Sequence, residues 1–73
     1  MTNNLAKATV ARRVNLAIRE AGFDIHSVAQ AADITDSEME DRLAGRTDFL
    51  LHELVRVGGF LRTPLSRFLE EAA

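Results

Sequence analysis

Apolar residues in this chain recur with the 3.6-residue period of an α-helix, and nowhere do they alternate with period two over the length of a strand. Helix-starting and helix-stopping residues cut that pattern into short pieces. Val10, Val14, Ala17, Ile18 and Ala21 share one face of a first helix over about residues 5–21, which Asn3 or Asn4 can cap and Gly22 ends. Asp24 caps a second helix, about 25–32, with Ile25, Val28, Ala29 and Ala32 on its inner face. Residues 33–35 read as a turn with Ile34 tucked inward. Thr35 or Asp36 opens a third helix, about 36–44, with Met39 and Leu43 as its apolar pair and Gly45 as its stop. A fourth covers about 49–59, capped by Asp48 or Thr47, with Leu51, Leu54, Val55 and Gly58 on one face; Gly58 and Gly59 weaken its end and permit close packing or a turn. Thr63 as N-cap and Pro64 at the first helical position open a fifth helix, about 64–71, whose apolar face is Leu61, Leu65, Phe68 and Leu69. The expected architecture is all-α, a compact five-helix bundle forming one domain over residues 1–73.

Length and composition narrow the function classes. A chain of 73 residues builds one small core, whose stability is a few kcal/mol unless a second copy adds to it. Hydrophobic residues make up 47%, which separates the chain from disordered sequences. It has no cysteine, hence no disulfide, thiol chemistry or cysteine zinc site, in keeping with a reducing cytoplasm. No apolar run approaches the roughly 20 residues of a membrane span, and "MTNNLAKATVARRV" lacks the continuous apolar stretch of a secretory signal. A cytoplasmic protein with no membrane partner is expected. His26 and His52 lie far apart without a cysteine partner, so no metal is expected. No nucleophile–base pair stands out, and "VGGF" lacks the rest of a phosphate-binding loop. Neither an enzyme nor a cofactor is expected.

The net charge is −2, but its distribution says more than the total. Residues 1–23 carry Lys7, Arg12, Arg13 and Arg19 against Glu20. Residues 24–41 carry Asp24, Asp33, Asp36, Glu38, Glu40 and Asp41 and no lysine or arginine. Arg42, Arg46, Arg56, Arg62 and Arg67 then outnumber Asp48 and Glu53. An acidic block, holding the third helix, stands between two basic ones.

The stretch "FDIHSVAQAADITDSEMEDRLAGRTDFLLHELVRVGGFLRTPLSRFL" resembles the Cro/repressor-type (XRE-like) helix-turn-helix family of phage and bacterial DNA-binding regulators. Val28 and Ala29 match that family's apolar–Ala pair, Asp33 stands at its turn Gly, and Ile34 and Thr35 match the apolar and Ser/Thr residues that follow. Met39 and Gly45 match the apolar residue and closing Gly of the next helix. Phe49, Glu53, Leu54, Val57 and Leu61 fit the following helix, and Pro64 the start of the last. The resemblance runs from about residue 13 to 69. It departs at Asp33, at Ile25, where Gln is common, and at Leu43, where Glu is frequent.

The resemblance implies a lambda-repressor-like domain, with the helix-turn-helix at about 25–44 and a double-stranded DNA operator as partner. Asp36, Ser37, Glu38 and Asp41 become base-facing residues, and His26, Ser27, Arg42, Arg46 and Thr47 phosphate contacts. Reading two half-sites implies a homodimer, for which Phe60, Leu61, Leu65 and Phe68 offer apolar bulk, with core filling as the competing role. Carboxylates can accept from cytosine N4, yet each also meets the phosphate field. Three roles for the third helix therefore compete: a solvated structural face, a DNA reader, and a surface for a protein partner. For Arg42 the competing role is a local pair with Glu38, four residues earlier.

Overall fold

The computed structural model describes residues 7–69. It is all-helical: α1 (Lys7–Ala21), α2 (Ile25–Ala32), α3 (Asp36–Leu43), α4 (Leu51–Leu61) and α5 (Leu65–Leu69). Among the described residues there is no strand, and no helix is long and apolar enough to cross a membrane. The Asn3 or Asn4 cap, Leu5 and the expected end of the fifth helix lie outside the described residues.

Side chains start the helices and left-handed residues end them. Asp24 Oδ1 accepts from the Ser27 backbone N–H at 2.8 Å to cap α2. Thr35 is the cap of α3: its hydroxyl accepts from the Glu38 N–H at 3.0 Å while Glu38 Oε1 accepts from the Thr35 N–H at 2.9 Å, a reciprocal box. Gly22 and Gly45 take the positive φ that stops α1 and closes the end of α3. Asp33 (φ 64) and Arg62 (φ 57) do the same for α2 and α4 without a glycine, at some steric cost. Behind each turn a backbone bond spans the last carbonyls, Ile34 N–H to Ala29 O at 3.1 Å and Thr63 N–H to Gly58 O at 2.8 Å. Thr63 does not cap α5; its hydroxyl donates to Leu61 O at 3.4 Å. Gly58 is required where α4 meets this turn, since a Cβ there would lie 2.6 Å from Thr63 O.

The core gathers Val10, Val14 and Ile18 of α1, Val28, Ala29 and Ala32 of α2, Met39 of α3, Leu54, Val57 and Leu61 of α4, and Phe68 of α5. The apolar period is right in kind and partly wrong in phase. Ala21 is exposed while Ala11 is buried, and Ile25 points to the surface. On α4 the correction is larger: Leu51 is 61% and Val55 52% exposed, and the buried face is Glu53, Leu54, Val57, Gly58 and Leu61.

A buried ion pair explains the rotation. Arg42 donates through Nε to Glu53 Oε1 at 2.7 Å and through Nη2 to Oε2 at 3.1 Å, a two-pronged contact. Glu53 is only 2% exposed. Its Oε1 also accepts from the Leu50 N–H at 3.0 Å, so Glu53 serves the start of α4, and Thr47 and Asp48 do not. The helix begins at Leu51, after the expected residue 49. A buried carboxylate needs its cation more than Leu51 or Val55 needs burial, so the whole helix turns Glu53 inward.

Removing either partner strands a buried charge. Arg42→Ala is expected to destabilise the protein by about 3–5 kcal/mol, much of the folding free energy of so small a domain. The double variant Arg42→Met with Glu53→Leu should recover much of the loss in urea unfolding. An unchanged midpoint for Arg42→Ala would contradict this account.

Candidate nucleic-acid interface

The α2–turn–α3 unit is held from behind. α4 packs on α2, and α1 packs on α3. Asn15 of α1 uses both amide hydrogens, donating to Ala11 O and to Leu43 O, each at 3.1 Å, and so ties α1 to the last carbonyls of α3. Met39 is fully buried and Leu43 half-buried, which fixes the inward side of α3. The opposite side presents Ser37, Glu40 and Ala44 to solvent. The sequence places Glu40 on the exposed face, but the base-facing set that the resemblance implies includes Ser37 and neither Glu40 nor Ala44. Counting around the helix from Met39 and Leu43 finds both.

The carboxylates of this helix are mostly in use. The Asp36 carboxylate lies 2.8 and 3.0 Å from His26 Nδ1, bridging the first turns of α3 and α2. Glu38 is bound into the Thr35 box, which holds its carboxyl below the usual range chiefly through the Thr35 N–H. Asp41 Oδ1 accepts from Arg46 at 2.9 Å. Glu40 makes no such bond to a described residue. Of the four acids, therefore, Asp41 faces an arginine, Asp36 an imidazole that is a cation when protonated, Glu38 serves a helix start, and Glu40 stands open.

The arginines divide differently from the sequence expectation. Arg42 is not available for phosphate: its guanidinium is spent on Glu53, with Nη1 donating to Glu38 O at 3.2 Å. The local side-chain pair with Glu38 is not its partner either. Arg46 is exposed beside Asp41, and the exposed Thr47 follows it. Arg12 and Arg19, both exposed, line a groove with Asn15 that runs beside Leu43 and Ala44. Neither forms an ion pair with a described residue. Arg13 turns away, toward Thr63, Arg67 and Phe68. The end of α3 thus carries a rim of Arg12, Arg19 and Arg46; the sequence offers Arg12, Arg13 and Arg19 as a basic flank, and of these Arg13 lies elsewhere.

His26 is exposed at the start of α2, and Ser27, half-buried, gives its N–H to Asp24. The hydrogen bond to Asp36, then the Asp36 and Asp24 charges, push the His26 imidazole above its usual value. The four residues expected at a dimer contact separate. Leu61 and Phe68 are core, and Leu65 is half-buried against it. Phe60 alone stays exposed, its ring against that of Phe23 in a tilted contact, with centroids 4.6 Å and planes 44° apart.

Compared with known proteins, the chain matches no family model and no curated protein.

The cap and the pair carry opposite pH signatures. Asp24 and Glu38 are lowered, so their contribution is present above their ordinary values of 3.8 and 4.5 and is lost as pH falls through the folded values. His26 is raised, so its contribution is complete below 6.5 and is lost as pH rises through the folded value. Thermal melts are expected to peak between about pH 5 and about pH 6.5. His26→Gln should flatten the alkaline side alone; a profile unaltered by that substitution would contradict the pairing.

Proposed function

We propose that the protein is a sequence-specific DNA-binding transcriptional regulator of the Cro/repressor kind, with α3 in the major groove of a short operator. The observation that supports this most is the disposition of charge around α3. Asp41 faces an arginine, Asp36 a histidine that carries charge when protonated, Glu38 serves a helix start, and exposed arginines flank the end of the helix. An acidic reading helix is then less repelled by phosphate than its composition suggests. Arg12, Arg19 and Arg46 serve as phosphate contacts, joined by Thr47 and, at the start of α2, by His26 and Ser27. Ser37 donates to or accepts from a base edge, and Glu40 accepts from cytosine N4. Arg42 has no part in this surface and acts through the fold. A second copy of the chain reads the other half of a palindromic site, raising an affinity that is modest for one copy.

A second reading has its own support. Asp36, Glu38, Glu40 and Asp41 all remain at the surface, and the chain carries a net −2. On that reading α3 is a docking face for a basic protein.

Mobility shift with duplexes enriched from a random pool, at about 50 mM salt, separates the two. A retarded duplex is expected. Arg12→Ala and Arg19→Ala should each reduce the salt slope of binding by about 0.9. Arg46→Ala should cost more affinity than either because it also uncovers Asp41, and Asp41→Asn should restore part of that extra loss. If no duplex is enriched or retarded, the DNA reading falls and the protein-docking reading stands.

A further inference from the structure

The His26–Asp36 contact joins the first turns of both helices in the α2–α3 unit, on the surface and at the edge of the face proposed to meet DNA. Both carboxylate oxygens lie within hydrogen-bond distance of one nitrogen, at 2.8 and 3.0 Å. Nδ1 can donate a hydrogen in the imidazolium and also in one tautomer of the neutral ring. Loss of the proton therefore leaves the contact standing and changes its charge. The pair goes from net neutral to net −1.

We propose that this pair makes DNA binding proton-linked: protonated His26 covers Asp36 at the groove edge, and its deprotonation presents an uncompensated carboxylate to the phosphates. The inference rests on the DNA-binding reading above and names a control on that same site.

The surroundings favour the charged ring. From α3 it faces Asp36, and from the start of its own helix Asp24, whose carboxylate is held by the Ser27 N–H. α4 also packs on α2, but its buried acid, Glu53, is neutralised by Arg42, and His52 and Arg56 lie on its exposed side. Asp33, in the turn that ends α2, is exposed. No cation among these opposes the proton at close range. Phosphates add further negative charge, so the bound state holds the proton more tightly than the free state. By reciprocity, binding takes up a proton wherever the free protein has begun to lose it. Arg46 cannot substitute for His26, because its guanidinium is engaged by Asp41 at the other end of the helix.

The test uses the full chain and the duplexes enriched at about pH 6, with affinity followed from about pH 5.5 to about pH 8.5. For the unaltered protein, affinity is expected to fall as pH rises, with a steepest slope approaching tenfold per pH unit, the limit for one proton. The salt slope should shrink by about 1 over the same range. His26→Gln should bind with a flat profile through neutral pH. His52→Gln, which alters the chain's other histidine, should keep the slope. Asp36→Asn should bind more tightly than the unaltered protein at about pH 8, where the carboxylate is exposed. Circular dichroism of each variant verifies folding. A slope that survives in His26→Gln overturns this inference and leaves the DNA reading intact. Failure to enrich any duplex overturns the DNA reading, and the inference with it.

Discussion

The rest of the structure depends on a carboxylate that is not allowed to face water. Glu53 lies almost fully buried between α3 and α4, gripped by two nitrogens of Arg42. An unpaired charge in that position would be worth several kcal/mol against folding, so the pair sets geometry that apolar packing leaves open. It fixes the rotation of α4 about its axis, and with the Leu50 N–H it fixes where that helix begins. It also fixes the path of the loop after α3, because both ends of that loop are anchored to the same contact. A buried pair adds little net stability over apolar residues of the same shape; in this domain its contribution is to geometry.

Much of the local structure was legible in the sequence. Asp24 is legible as a helix start, Thr35 as one of two candidates for the start of α3, and Met39 as its inward residue, because capping and helical period act within a turn or so of chain. The two boundaries of α2 follow from such signals alone. What local rules cannot see is a partner beyond the next turn. Arg42 had Glu38 within reach by spacing, or phosphate by resemblance, and instead meets Glu53, eleven residues away across a loop. The error in the phase of α4 is the same error, since Leu51 and Val55 look inward only if Glu53 is assumed to look outward. Leu61 and Phe68 show the converse: a surplus of apolar bulk in sequence is a core requirement once α5 folds across α1 and α4.

The candidate site was legible in place but not in charge. Resemblance located it on α3, and Asp36, Ser37 and Asp41 do lie on or beside its outward side. A count of carboxylates then suggested a strongly repelling surface. Folding changes that sum by pairing residues that the sequence separates: His26 with Asp36 across the turn, and Arg46 with Asp41 across the end of the helix. Two of the three arginines that flank the site, Arg12 and Arg19, come from α1, in a basic block whose position relative to α3 tertiary packing sets.

Around α3 the work of folding and the outward chemistry fall on different residues. Thr35 and Glu38 start the helix, Met39 and Leu43 seat it, Arg42 anchors it, and the carbonyl of Leu43 receives Asn15. Ser37, Glu40 and Ala44 have no part in any of this. Their side chains are free to drift, and a lineage or an experimenter can rewrite the chemistry the helix presents there without reopening the question of whether it folds.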